Sequence, residues 1–89
     1  MKVEFDHSFL KSLRKLKDVQ LREKVEQLIL SLEQTDSLSK ISSVQKIVGF
    51  KSYYRVRIGD YRLGLEKLST DSVRLIVIAH RKDIYNLFP

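Results

Sequence analysis

Arg55, Arg57 and Arg62 bracket a Gly59-Asp60 pair, with Tyr54, Val56 and Ile58 alternating on one side and Tyr61, Leu63 and Leu65 on the other. Two residues beginning with glycine between alternating runs predict a β-hairpin with a type I′ or II′ turn. That turn fixes the register: Ile58 opposite Tyr61, Arg57 opposite Arg62, Val56 opposite Leu63, Arg55 opposite Gly64, Tyr54 opposite Leu65. Every apolar pair then shares one face and every polar pair the other, which a slip of one residue would scramble. Arg57 and Arg62 are expected to face each other directly, an arrangement that costs stability through like-charge repulsion. A bound anion relieves that cost, and the planar guanidinium fork matches phosphate oxygens. Gly64 is expected to leave room beside Arg55 for a backbone or base.

A second group follows at His80, Arg81, Lys82, Asp83 and Tyr85. A strand ending there beside the hairpin would carry it toward the arginines. His80 has the chemistry of a proton carrier near neutral pH, although a lone histidine is more often a surface residue. Tyr85 can stack on a base or simply pack the C-terminal turn with Leu87 and Phe88. Lys46 and Lys82 would add attraction for a phosphate backbone. No metal-ligand cluster, glycine-rich phosphate loop or Ser-His-Asp set is visible, and no cofactor is expected.

The elements that must position these groups follow from periodicity. Lys2 to Phe5 alternates and reads as a strand, with Asp6 as the cap of a helix. Phe9, Leu10, Leu13 and Leu16 mark the buried face of that helix, and Leu21, Val25, Leu28, Ile29 and Leu32 that of a second one capped by Asp18. The two form a hairpin with its joint at Lys17-Asp18. Residues 35–43 read as a polar, serine-rich loop and residues 44–48 as a short strand, broken over 49–52. After the arginine hairpin and a turn at Ser69-Thr70-Asp71, residues 72–80 form a strand whose apolar stretch, Leu75 to Ala79, calls for an inner position or a covered face. The tail from Arg81 is expected to form one helical turn. The fold class is thus α+β in two layers: an N-terminal strand, a helical hairpin, then a mostly antiparallel sheet of three to four further strands.

With 89 residues and 43% hydrophobic content, the chain is one domain, residues 1–89, with a single core. No apolar run is long enough to span a membrane, the start lacks the apolar stretch of a secretion signal, and cysteine is absent. A cytoplasmic protein without a membrane partner is expected. The net charge of +6 is unevenly placed: residues 1–44 carry eight basic and seven acidic side chains, residues 45–89 nine and four. That localised positive field attracts polyanions.

Together, YRVRIGDYRLGLE and IVIAHRKDIY resemble the RelE branch of the RelE/ParE toxins of type II toxin–antitoxin pairs, and the order of elements extends the resemblance over nearly the whole chain. The resemblance implies a RelE-like fold and a ribosome-dependent mRNA endoribonuclease acting in the decoding site. There the 2′-hydroxyl attacks the adjacent phosphate to leave a 2′,3′-cyclic phosphate and a 5′-hydroxyl. It places the reaction on Arg55, Arg57, Arg62, Arg81 and Tyr85. The best-studied members carry lysines where this chain has Arg55 and Arg57. Because arginine stays charged, these two read as phosphate clamps, leaving Tyr85, His80 or the ribosome itself as the base. Implied partners are a cognate antitoxin, the ribosome with its message, and operator DNA through the antitoxin complex. The apolar run Leu75–Ala79, expected to be incompletely covered, would invite an amphipathic antitoxin segment. The rivals are a ParE-like inhibitor of DNA gyrase and an inactive RNA-binding or regulatory module.

Overall fold

A computed structural model describes residues Met1 to Pro89. The order of elements is β1 (Lys2–Phe5), α1 (His7–Arg14), α2 (Val19–Gln34), a 3₁₀ turn (Leu38–Lys40), β2 (Val44–Lys46), β3 (Tyr53–Ile58), β4 (Tyr61–Ser69), β5 (Ser72–His80) and α3 (Ile84–Leu87). The five strands form one sheet in the order β1-β5-β4-β3-β2. Only β1 and β5 pair in parallel: the helical hairpin leads into β2 running opposite to β1, and three antiparallel steps then bring β5 back to the direction of β1. All later neighbours are antiparallel.

Local chemistry sets the helix starts. Asp6 accepts the Ser8 N–H at 3.1 Å, and Asp18 accepts those of Gln20 and Leu21 at 2.9 and 3.2 Å, each satisfying donors that a first turn leaves free. The Met1 ammonium donates to the carbonyls of Leu32, Glu33 and Thr35, where positive charge offsets the negative end of the α2 dipole.

The helices cover one face of the sheet. Phe9, Leu16, Leu21, Val25, Leu28 and Leu32 pack there against Val56, Ile58, Leu63, Leu65, Val73, Leu75 and Ile78. A second, smaller cluster lies on the other face, where Ile84 and Phe88 of the C-terminal turn cover Ile47, Val77 and Ala79. No helix is long and apolar enough to cross a membrane.

Several boundaries differ from expectation. α1 ends at Arg14, so Leu16 reaches the core from the joint rather than from a helical turn, and Leu10 stays 38% exposed. The serine-rich loop contains one 3₁₀ turn, capped by Ser37, which drives Leu38 into the core. β2 stops at Lys46, since Ile47 turns inward to the second cluster. The stretch Leu75–Ala79 is covered on both sides, with all but the partly buried Ile76 buried. The expectation of an exposed apolar run is therefore corrected: the helices cover one side and the chain's own C-terminus the other.

Candidate functional site

The β3–β4 hairpin has the expected register, including Arg57 opposite Arg62 and Arg55 opposite Gly64. Gly59 has φ +58° and no other residue type has positive φ, so the turn is of type II′, with Asp60 on the ordinary side of the map. Val56, Ile58 and Leu63 are buried under the helices. By alternation, Arg55, Arg57 and Arg62 therefore leave from the opposite face.

The turn holds two arginines. Arg62 Nη1 donates to the carbonyls of Gly59 and Tyr61, both at 2.8 Å. The Arg81 N–H donates to the Asp60 carbonyl at 2.8 Å, and its Nε lies 4.0 Å from Asp60 Oδ1. The end of β5 is thereby tied to the turn of the neighbouring hairpin. Arg55 places its guanidinium 4.5 Å from the centroid of the Tyr85 ring, an attractive cation–π distance. Its Nη2 approaches the Pro89 carbonyl at 3.5 Å, while its Nε is buried without a partner. Arg57 is exposed.

Arg74 supplies a contrast. It sits between Glu4 and Glu66 in the sheet and bonds Glu4 at 3.0 Å. That hydrogen bond and the Glu4 charge hold the Arg74 guanidinium above its ordinary pKa. Arg74 is neutralised by its cross-strand neighbours. Arg57 faces another arginine, and the one acid beside the cluster, Asp60, meets Arg81 only at the outer limit of an ion pair.

Two residues marked in the sequence, His80 and Lys46, lie on the other face. His80 pairs with Tyr61, and their rings meet edge to face at 5.5 Å. Tyr61 packs against the helical core, so His80 belongs to the helix side and does not join the arginines. Its Nδ1 accepts the Lys82 N–H at 3.2 Å. Lys46 pairs with Tyr54, also on the helix side, and its ammonium bonds the Phe50 carbonyl at 3.0 Å. Lys82 is exposed on the turn after β5. Gly64 leaves no open space: a Cβ there would fall 2.6–2.8 Å from the Phe88 ring. The expected room for a base is filled by the protein's own C-terminal turn.

Asp60 was legible only as a turn residue, since its proximity to Arg81 depends on strand order. Clefts of 250 to 530 Å³ indent the surface, but none of these is lined by Arg55, Arg57, Arg62, Arg81 or Tyr85. The cluster is an open cationic surface, suited to a backbone phosphate and unsuited to enclosing a small molecule.

Residues 3–85 match the family model described as the ParE toxin of the type II toxin–antitoxin system parDE. The chain is 34% identical over 90 residues to Toxin RelE3 of Methanocaldococcus jannaschii, covering 100% of both chains. Its fold superposes with a TM-score of 0.81 and 31% identity on a chain of the RelB–RelE antitoxin–toxin complex from Methanococcus jannaschii, covering 97% of this chain and 99% of that one. The intact E. coli RelBE complex matches with a TM-score of 0.69 at 21% identity, covering 89% and 94%, a likeness of fold alone.

Proposed function

The chain belongs to the ParE toxin family of type II toxin–antitoxin systems and, within it, to the RelE branch, and from that premise we propose that it is an endoribonuclease that cuts mRNA on the ribosome. The observation that carries this reading is the hairpin register, which sets Arg57 against Arg62, together with the bond that fastens Arg81 to the same turn.

RNA carries its own nucleophile. The 2′-oxygen attacks the adjacent phosphorus, the bond to the 5′-oxygen breaks, and the products are a 2′,3′-cyclic phosphate and a 5′-hydroxyl. What the protein must supply is position and positive charge. Arg62 and Arg81 clamp the charge that develops on the phosphoryl oxygens, while Arg55 and Arg57 bind the phosphate before and after. Tyr85, beside Arg55, exchanges the proton that arginine cannot. His80 is left out because it lies on the other face. The openness of the cluster supports a ribosome requirement: with no cleft to bend the RNA, the strained geometry comes from the decoding site. On this reading the activity is cytoplasmic, where ribosomes translate messages. The antitoxin–toxin complex from Methanococcus jannaschii supports a cognate antitoxin as partner, with operator DNA reached through that pair.

The matching family model carries the name of ParE, and the competing reading is inhibition of DNA gyrase without RNA chemistry. The gathering of Arg62, Arg81 and Tyr85 around one hairpin favours RNA. Translation of a defined message in vitro, with mapping of RNA ends, separates the two. Cuts that depend on ribosomes, and that vanish in Arg62→Ala and Arg81→Ala, are expected. An intact message together with arrested supercoiling by gyrase would overturn the proposal.

A further inference from the structure

We propose that the tip of the loop between β2 and β3 is a second RNA subsite, in which a nucleobase of the message stacks on Phe50 while Lys51 faces an adjoining phosphate and Lys46 braces the turn through the Phe50 carbonyl. The inference rests on the RNA reading above.

The tip is ordered. Ile47 is buried at its base, its N–H donates to the Tyr53 carbonyl at 2.9 Å, and Phe50 N–H returns to the Ile47 carbonyl at 3.3 Å. Gly49 takes φ +88° with nothing within 4 Å of its missing side chain. Yet this tight turn presents apolar side chains to solvent: Val48 is 94% and Phe50 43% exposed. Both side chains belong to one short turn whose backbone bonds hold them in place.

Two features identify the occupant. The tip is basic, with exposed Lys46 and Lys51, and the Lys46 ammonium is held at the Phe50 carbonyl. It also continues the arginine face. Phe50 leans on Tyr53 at 5.6 Å, and Tyr53 meets Phe88 edge-on at 5.2 Å. Phe88 lies over Gly64, the partner of Arg55. An aromatic surface interleaved with cations is the platform that single-stranded nucleic acids use, whatever their sequence. Tyr53 and Arg57 are separated by roughly 13 Å of strand at the usual rise. A base on Phe50 therefore lies about two to four nucleotides from the scissile linkage, taking 3.4 Å per nucleotide as the stacked limit.

The test uses messages that end at successive nucleotides on either side of the cut, bound to ribosomes and cut at single turnover. The wild-type half-saturating concentration should fall about tenfold once the message is long enough to reach the tip, the order expected of one stacked base. Phe50→Ala should lose that gain while cutting the shortest message as the wild type does, and Phe50→Trp should keep it. The chain has no tryptophan, so the new indole reports stacking directly: the long message should quench it and the short one should not. Lys51→Ala, a surface change that leaves the core intact, should lose part of the same length-dependent gain. Equal cutting of all lengths by wild type and Phe50→Ala would overturn the subsite and leave the nuclease reading standing, whereas no cutting by the wild type would remove that reading first. Quenching by vacant ribosomes would assign the tip to ribosomal RNA. Loss of antitoxin binding alone in Phe50→Ala would assign it to protein. Either result overturns the proposal.

Discussion

Arg57 and Arg62 repel one another across the hairpin, and Arg57 has no acid to relieve it. Such opposition typically costs 0.2–1 kcal/mol. Arg57→Thr, which substitutes a strand-favouring residue, is therefore expected to raise unfolding free energy by about that amount in urea titration while slowing cleavage. A variant that loses stability would contradict this account of the pair. Arg62→Ala and Arg81→Ala should each lower the single-turnover rate by about 10²–10³, the usual effect of removing one donor from a developing anion. At position 85 the two roles separate: Tyr85→Phe keeps the ring for stacking and Arg55 but removes the hydroxyl. A loss of about 10² or more with Phe, on the scale of acid–base catalysis, assigns proton exchange to the phenol; full activity with Phe and loss with Ala assigns stacking alone. The facing arginines were legible in the sequence because a two-residue turn dictates the register on both sides. His80 was not, because its side depends on the β4–β5 pairing, which shifts at Gly64/Leu65 and Lys67/Ser69. Each such irregularity reverses the count of alternation. The side on which Lys46 lies was hidden for a related reason: a three-residue edge strand carries too little pattern to reveal its face.

Among the elements, the C-terminal turn is the piece whose existence the sequence predicts and whose docking it does not. Ile84 is followed at helical spacing by Phe88, but nothing local says that Phe88 closes over Gly64. Gly64→Ala should destabilise the fold by about 1–3 kcal/mol through overpacking. Combining it with Phe88→Ala should cost less than the sum of the two single changes, since the pair shares one space. Strict additivity in a double-mutant cycle would contradict the packing. Helix α1 depends on Asp6, whose carboxyl is held below its ordinary value of 3.8 by the Ser8 hydroxyl and then the Ser8 N–H. A carboxyl whose pKa is lowered by folding stabilises the fold above its unfolded value and loses that contribution as the pH falls through the folded one. The wild type should therefore lose more stability than Asp6→Asn when the pH falls from 5 to 3. The opposite ordering in melting experiments would refute the cap's contribution. Both helix caps were legible, because capping is a local contest between a side chain and the first free N–H groups.

For the whole molecule, the separation of charge between the two halves becomes a separation of faces. The helices present mixed charge, while the hairpin side gathers Arg55, Arg57, Arg62 and Arg81, with only the long Arg81–Asp60 contact to offset their charge. If these four contact phosphates, the logarithm of RNA affinity should fall with the logarithm of salt at a slope of about −3, and Arg57→Ala should reduce that slope by about 0.7. An unchanged slope would place Arg57 outside the RNA path. The two-layer architecture was readable from the alternation of periods, whereas the parallel pairing of β1 with β5 and the openness of the arginine face emerge only when all strands are assembled. The most direct test of a nuclease that aligns RNA's own nucleophile is a message with a single 2′-deoxynucleotide immediately before the mapped cut, presented on ribosomes to the wild-type protein. Cleavage at that linkage should stop, while the same message with 2′-deoxy one position further away is cut to a 2′,3′-cyclic phosphate. Undiminished cutting at the deoxy linkage would contradict the account.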